Sequence, residues 1–429
     1  MSIAQQLIDL NTVKTNIRNS ISAKGIPIDT STPFNQYSLK VNEIVPNPSG
    51  GYHLGLGFNS NVYTICFDSS NYAYVGGNYT TFKGISQNYL VKLDPYGFKD
   101  TTFDTSNGFN GQVACLLRDS SNHIYAGGTF TTFRGQTQNR LVRLNLDGTK
   151  DNTFDVSNGF NSNVTGIYLD PSNFLYVGGQ FNTYKGKTQN FFVRLKSDGS
   201  VDTSFDVSTY FDNGVASFDM DSSRKLYVGG FFSTYRSEPS SGRLVRINPD
   251  TTRDTTFYPN VRFQSGTVQT MVLDPSNYLY ISGGFVTYKD LMDSSLYYFL
   301  RFRNDGTVDF PAYDVSTSFF SSLSGITANS ITLDSSNHIY VGGVFDSYKG
   351  KPQKYLVRLD SDSTIDTAFD VSGGPLQAGQ IVVNIVALDA SNRLYVGGSF
   401  AGYKKGKYVY SYTNFMRLLS NGDSDTVFS

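Results

Sequence analysis

The sequence predicts an all-β protein: a seven-bladed β-propeller with four antiparallel strands per blade, preceded by a short N-terminal α-helical module. A Gly-Gly pair, or Ser282-Gly283 in one copy, follows an aromatic and an aliphatic residue seven times, at intervals of 51 to 60 residues. Repeats of this length are typical of propellers and solenoids. The chain is also rich in residues of strands and turns, with 41 Gly, 30 Tyr and 33 Phe, and no helical period recurs within the repeat.

The best-preserved copy gives each strand in order. An apolar segment over 164–169 predicts strand A, which ends at the Asp-Pro-Ser-Asn turn of residues 170–173. Residues 175–181 predict strand B, and a polar loop leads to strand C over 191–195. After Asp198-Gly199, residues 201–205 predict strand D.

The two ends of the repeat region complement each other. It opens at residues 57–62, which match the junction at 159–164, and it closes at 425–429, which match 151–155. A ring closed in this way leaves no sheet edge exposed. A parallel β-helix is the main rival, but its coils are shorter and its ends need caps.

Residues 57–429 therefore form the predicted propeller, 45–56 a linker, and 1–44 a separate module. An amphipathic stripe in this module predicts a helix that ends near Gly25 and Pro27. The stripe needs a partner, which could be a neighbouring copy, the propeller or another protein. We expect docking or homo-oligomerisation through its apolar residues, Ile3, Leu7, Leu10, Val13, Ile17 and Ile21.

The repeat resembles the delta-60 family of propeller repeats, over about residues 57 to 429. The resemblance lies in the Tyr-Val-Gly-Gly-x-Phe strand at 176–181, the Arg-Leu-x-x-Asp-Gly segment at 194–199 and the Asp-x-x-Phe segment at 202–205. It implies a fold and hardly constrains function.

Residues 1–44 are similar to an N-terminal module of tail and virion proteins of tailed bacteriophages. The similarity rests on Lys-Thr-Asn-Ile at 14–17, Lys-Gly-Ile-Pro at 24–27 and Thr-Pro-Phe-Asn-Gln-Tyr at 32–37, with Leu10 before them and Ile44 after. It implies anchorage on a phage particle, where the helix contacts other tail, baseplate or fibre proteins. Virion proteins assemble in the host cytoplasm, so the absence of a signal peptide fits a virion location.

A cation and a carboxylate recur at fixed positions of strands C and D, which indicates a structural role. We expect them to pair across the C–D hairpin or between blades. The cations are Lys92, Arg143, Arg194, Arg246, Arg301, Arg358 and Arg417, and the carboxylates are Asp100, Asp151, Asp202, Asp254, Asp309, Asp366 and Asp425.

Nothing in the sequence indicates catalysis, a cofactor or a metal centre. There is no His cluster, no Gly-x-Ser-x-Gly motif and no Trp for a sialidase-type box. Turns such as Asp68-Ser69-Ser70-Asn71 hint at calcium, but Asp and Asn favour turns by bonding to their own backbone. A net charge of −1 and the lack of an 18-residue apolar stretch argue against nucleic-acid binding and membrane insertion.

The residues that differ between copies are the candidates for recognition. The divergent B–C connections lie in copies four, five and seven, and two D–A connections also diverge. We expect these connections to share one face of the ring, with the A–B and C–D turns on the other. Their Tyr and Ser content is typical of recognition loops. The candidate ligand-binding residues are Tyr297, Tyr298, Phe319, Phe320, Lys405, Lys407, Tyr408, Tyr410 and Tyr412.

These inferences predict a non-enzymatic bacteriophage virion protein whose loop face attaches to a host-surface glycan or outer-membrane protein. The alternative is a purely structural or decorating component whose loop face binds neighbouring virion proteins. A polysaccharide-degrading enzyme is a third class, which would need a carboxylate cluster with one raised pKa.

Overall fold

The computed structural model describes residues 13–15, 17–19 and 57–428, except 106, 240–242, 260–261, 289–297, 310–318, 321–325, 372, 377–380, 406–407, 411 and 426. Residues 13–15 and 17–19 are helical. Among the described residues, no helix is long and apolar enough to span a membrane. Residues 13–15 and 17–19 belong to one compact unit, and the described residues from 57 to 425 belong to a second.

The second unit is all-β and propeller-like. Its described residues form seven three-stranded antiparallel sheets, here called sheets one to seven, in which strand B lies between A and C. In order, their A, B and C strands are Val62–Phe67, Ala73–Gly77 and Leu90–Leu93; Val113–Arg118, Ile124–Gly128 and Leu141–Leu144; Val164–Leu169, Leu175–Gly179 and Phe192–Leu195; Val215–Met220, Leu226–Gly230 and Leu244–Ile247; Val268–Leu273, Leu279–Gly283 and Phe299–Phe302; Thr327–Leu333, Ile339–Val344 and Leu356–Leu359; and Val382–Leu388, Leu394–Ser399 and Phe415–Leu418.

The fourth strand of each repeat, strand D, is shorter than the sequence predicts. In sheet three it is reduced to one bridged residue, Val201, opposite Leu195. The chain then turns, because Oδ1 of Asp202 accepts hydrogen bonds from both the backbone N–H and the hydroxyl of Ser204. An Asp that bonds to the backbone two residues ahead favours a turn over a continuing strand.

Each B–C connection contributes to a second, small sheet. In sheet three, Tyr184 pairs with Lys187 and also forms a bridge to Phe160, which belongs to the preceding D–A connection. Both rings are buried, and their centroids lie 4.5 Å apart. The small sheets are Thr81–Phe82 with Ile85–Ser86; Thr132–Phe133 with Gln136–Thr137; Thr183–Tyr184 with Lys187–Thr188; Thr234–Tyr235 with Glu238–Pro239; Arg262–Ser265 with Val286–Tyr288; Phe319–Phe320 with Ser347–Tyr348 and Lys351–Pro352; and Pro375–Leu376 with Gly402–Lys405 and Tyr408–Tyr410.

The core lies between neighbouring sheets, which approach so closely at strand B that a side chain has no room. A Cβ atom on Gly178 would lie 3.0 Å from Cγ1 of Val215 in sheet four. A Cβ on Gly397 of sheet seven would lie 2.5 Å from Cγ1 of Val62 in sheet one. Sheets seven and one therefore pack in the same way as consecutive sheets do, which is why glycine recurs at this position.

The cations of strand C and the carboxylates of strand D pair across the C–D hairpin, as the sequence predicts. Nε of Arg143 lies 2.6 Å from Oδ2 of Asp151, and Lys92 lies 3.0 Å from Asp100. A strand B tyrosine is also part of the cluster, since Arg143 donates to Tyr125 Oη. The other pairs are Arg194–Asp202, Arg246–Asp254, Arg301–Asp309, Arg358–Asp366 and Arg417–Asp425.

Most of these guanidinium groups also join one sheet to the next. Nη1 of Arg143 donates to the carbonyl of Ser197 at 2.8 Å, in the C–D turn of sheet three. Arg417 of sheet seven makes the same bond to the carbonyl of Pro95 in sheet one. The remaining contacts of this kind are Arg246 to Asn304, Arg301 to Ser361 and Arg358 to Ser420.

Strand A of sheet four carries a carboxylate where the other six sheets have an uncharged residue. Oδ2 of Asp219 accepts a hydrogen bond from the Leu273 N–H of sheet five at 2.7 Å, and Oδ1 accepts from Met220 N–H. Burial raises the pKa of Asp219 to about 6, although these hydrogen bonds favour the ionised form. Burial raises the pKa of the neighbouring Tyr168, and the negative charge of Asp219 raises it further.

Candidate binding surface

The candidate surface consists of the divergent connections of sheets five to seven. Tyr297 and Lys407 lie outside the described residues. Phe320 and Tyr408 lie in short strands, and their side chains are not among those described. The structure therefore positions the side chains of Tyr298, Phe319, Lys405, Tyr410 and Tyr412.

Three tyrosines in sheet seven form a stacked ladder. The rings of Tyr403 and Tyr410 are 6.4 Å apart, and those of Tyr410 and Tyr412 are also 6.4 Å apart, both nearly parallel. Tyr403 is fully buried and its hydroxyl donates to the Gly422 carbonyl at 2.7 Å. The Tyr412 hydroxyl bonds to Ser424. The ladder is thus held at both ends by the C–D turn of its own sheet.

Lys405 is bound to the same turn. Its ammonium group donates to the Asn421 carbonyl at 2.8 Å and pairs with Asp423 at 2.8 Å. The Lys405 bond is the largest effect lowering the pKa of the Asp423 carboxyl. At the tip of this connection, Val409 is 64 % exposed, and Lys404 is also exposed. The open part of the surface in sheet seven therefore includes Val409 and Lys404.

Tyr298 and Phe319 have structural contacts. The Tyr298 carbonyl accepts a hydrogen bond from Gly283 N–H, as the Tyr89 carbonyl does from Gly77 N–H in sheet one. Burial raises the pKa of Tyr298. Phe319 is buried, with its ring 4.6 Å from that of Phe345, so it lies in the core rather than on the surface.

The B–C connections do not project from the face that the sequence predicts. In sheet three the Tyr184 hydroxyl donates to the Gly199 carbonyl at 2.6 Å, in the C–D turn at the far end of strand C. Tyr348 bonds in the same way to the Ser363 carbonyl. The connections of sheets three and six therefore fold back along strand C, because a buried tyrosine anchors each of them there. The expectation that these loops and the C–D turns occupy opposite faces is wrong.

In the N-terminal stripe the structure describes only Val13, which is exposed, and Ile17, which is partly buried. Ile3, Leu7, Leu10 and Ile21 lie outside the described residues. The docking role of this stripe stays a prediction.

Two of the histidines lie in A–B turns next to carboxylates. Nδ1 of His338 lies 2.8 Å from Asp334, and its Nε2 lies 3.8 Å from Asp360 and 3.9 Å from Asp366. His338, Asp360 and Asp366 offer ligand atoms close enough to hold a metal ion. Asp366, however, already accepts a hydrogen bond from Nε of Arg358 at 2.7 Å, so its charge is balanced within the protein.

The Asp-initiated A–B turns also satisfy their own carboxylates. Oδ1 of Asp68 accepts from the N–H groups of Ser70 and Tyr72, and Oδ1 of Asp170 accepts from those of Ser172 and Phe174. These bonds confirm the turn-forming role that the sequence predicts for Asp at this position.

Parts of the repeat region match a β-propeller family described as a domain of unknown function, DUF5122. The matches cover residues 74–103, 120–154, 171–205, 222–257 and 335–369, each of them within one repeat. This chain is a β-propeller repeat protein. The family description carries no activity, so the family match assigns the propeller a fold and leaves its function open.

Several solved structures are similar to the propeller. The extracellular domain of the hybrid two-component system BT3049 from B. thetaiotaomicron is 15 % identical, with a TM-score of 0.45 over 80 % of this chain and 38 % of that chain. Virginiamycin B lyase from Staphylococcus aureus is 12 % identical, with a TM-score of 0.47 over 80 % and 94 %. The WD40 β-propeller domain of Doa1 is 15 % identical, with a TM-score of 0.42 over 69 % and 77 %. A comparison with curated proteins finds no match.

Sequence reasoning missed the residue that precedes strand C of the propeller. It has a positive φ without being glycine, as in Tyr89 (66°), Arg140 (68°) and Phe191 (64°). Its carbonyl accepts the N–H of the second strand B glycine. The side chains at this position share no property, so only comparison of the copies by position could have identified it.

Proposed function

We propose that this protein is a non-enzymatic component of a tailed-bacteriophage virion, a seven-bladed propeller that contacts the host surface. The proposal combines the resemblance of residues 1–44 to a virion module with the position of the divergent connections in the propeller. In this proposal the N-terminal helix attaches the protein to tail, baseplate or fibre proteins and oligomerises it.

The count of seven blades is supported by the contacts between sheets seven and one. The Asn384 amide donates to the Val62 carbonyl at 3.2 Å, and the Asn329 amide donates to the Val383 carbonyl at 3.1 Å between sheets six and seven. The same strand A contact thus recurs where the ring would close.

The observation that carries the binding role is the contrast between sheets seven and one. The connection of sheet one is a minimal hairpin around Ile85, whereas that of sheet seven is lengthened and adds the tyrosine ladder behind Val409. The ladder rigidifies a longer loop, and rigid aromatic anchors with exposed neighbours are typical of recognition surfaces.

A matched pair of variants of the full-length protein tests this role. Val409 and Ile85 are 64 % and 67 % exposed, and both lie in B–C connections. We expect saturable binding of the wild-type protein to cells of a susceptible strain, loss of that binding in Val409→Asp, and wild-type binding in Ile85→Asp. Circular dichroism of both variants controls for folding.

The location is tested separately by mass spectrometry of purified phage particles. Detection of the chain at a fixed copy number is expected, and its absence from particles would overturn the virion assignment. A chain that is present in particles but does not bind cells would instead support the decorating role, in which this surface contacts other virion proteins.

A further inference from the structure

The boundary between sheets four and five brings together two cations and an aromatic residue at positions that vary among the copies. The residue before strand B is aromatic or His in five sheets, at Tyr72, His123, Phe174, Tyr278 and His338, but is Lys225 in sheet four. The first residue of the C–D turn is Arg303 in sheet five and Lys196 in sheet three, and it carries no positive charge in the other copies. The residue after strand D, which is Asp104, Asp155, Asp206 and Asp370 in other copies, is Tyr258 in sheet four.

Lys225 and Arg303 line one pocket. It is shallow, has a volume of about 440 Å³, and is lined by Lys225, Arg246, Thr256, Arg303, Asn304 and Asp305. In sheets one, three and five an aromatic ring covers the strand C cation, as Tyr278 does where its ring centroid lies 4.7 Å from the Arg301 guanidinium. Replacing that ring by a lysine side chain leaves a polar pocket whose walls donate hydrogen bonds.

The cations of the pocket are held in fixed positions. Lys225 Nζ lies 2.7 Å from Oδ2 of Asp254, the oxygen that also accepts from Arg246 Nε at 2.6 Å. Arg303 pairs with Asp309 from the other side. Asp254, Asp305 and Asp309 offset most of the positive charge, and Asp309 is shared with Arg301. Directed N–H groups rather than a strong net field would therefore select a ligand.

An exposed aromatic residue is attached through its backbone to one wall of the pocket. The backbone N–H of Tyr258 donates to the Asp305 carbonyl at 2.9 Å, and Tyr258 is 69 % exposed. The change from Asp to Tyr at this position removes a negative charge near the pocket and adds an exposed ring. Cations together with an exposed aromatic ring suit a ligand that has both an oxyanion and an apolar C–H face.

We propose that this pocket binds the carboxylate or sulfate group of an acidic saccharide, with Lys225 and Arg303 as donors and Tyr258 contacting the sugar ring. That the ligand is a saccharide rests on the proposed host-surface role, whereas binding of the oxyanion does not. The site would be separate from the surface around Val409.

The test is a titration of the full-length protein with sodium glucuronate, sodium sulfate and neutral glucose, followed by NMR of the arginine Nε–Hε groups at low salt. Saturable shifts with glucuronate are expected, and glucose should cause none. Shifts with glucuronate alone would support a saccharide carboxylate, and shifts with sulfate as well would support a general oxyanion site.

Two variants use residues that the repeat itself carries at the same positions, so folding should be kept. Lys225→Tyr and Arg303→Asn should each weaken glucuronate binding at least tenfold. The matched control is Arg393→Tyr, which removes a cation at the equivalent position of sheet seven and should leave binding unchanged. Absence of saturable shifts in the wild-type protein, or equal weakening in the control, would overturn the proposal. Because the titration uses no cells, its result is independent of whether the protein attaches to a host.

Discussion

Changing Asp219 to Asn should remove a pH dependence from the stability of the propeller. The folded carboxyl has a pKa of about 6, whereas the ordinary value is 3.8. Between pH 4 and 6 the folded chain therefore keeps a proton that the unfolded chain has released. The free energy of unfolding consequently falls as the pH rises through this window, and the loss persists above pH 6.

The size of the effect follows from the two pKa values. A difference of about 2, at about 1.4 kcal/mol per pH unit, corresponds to about 3 kcal/mol. This is an upper limit, because Asp219 remains partly exposed and solvent reduces the cost of its charge. The Asn variant has no such titration, so its stability relative to wild type should increase by up to that amount between pH 4 and 7.

Urea unfolding at pH 4, 5, 6 and 7 measures this difference. Tyrosine fluorescence is a suitable probe, because the chain has 30 Tyr and no Trp. Asp198→Asn is a control of opposite sign, since hydrogen bonds from Ser200 lower the pKa of Asp198. Wild-type and Asp219→Asn curves that stay parallel from pH 4 to 7 would refute the reasoning.

Two further predictions concern the scaffold. Arg194→Met should destabilise the protein by about 3–5 kcal/mol, because it leaves the largely buried carboxylate of Asp202 without its main partner. Urea unfolding measures this loss. A loss below about 1 kcal/mol would contradict a structural role for the pair. Gly397→Ala should cost about 1–3 kcal/mol, because its methyl group would overlap Val62 of sheet one. Gly284→Ala is its control, since the nearest atom would be 3.5 Å away. Equal melting temperatures for the two alanine variants would argue against close packing between sheets seven and one.

Strands A, B and C could be predicted because their apolar runs and Asp-initiated turns act locally. The Arg194–Asp202 pairing followed from recurrence alone, since positions filled alike in every copy serve the blade itself. The extent of strand D could not be predicted, because it depends on whether the Asp202 side chain bonds to the backbone of Ser204.

The candidate surface was less predictable than the fold. Loop length marked the divergent connections, but their direction depends on the long-range bond between Tyr184 and the Gly199 carbonyl. A similar bond, from the Lys405 ammonium group to the Asn421 carbonyl, gives this candidate binding residue a structural role as well. Asp219 and Lys225 become visible as exceptions only when the copies are aligned strand by strand.

The guanidinium contact between sheets has a consequence for how such repeats diversify. A main-chain carbonyl accepts in each of these contacts, with the Asn304 side chain as an additional acceptor for Arg246. The acceptor residues are as different as Pro95, Ser197 and Asn304. Mutation of the turn side chain therefore leaves the bond intact, so selection for ring integrity places little restriction on which side chain the turn displays. Duplicated copies can therefore acquire different side chains at these turns while the hydrogen bonds between the sheets stay the same.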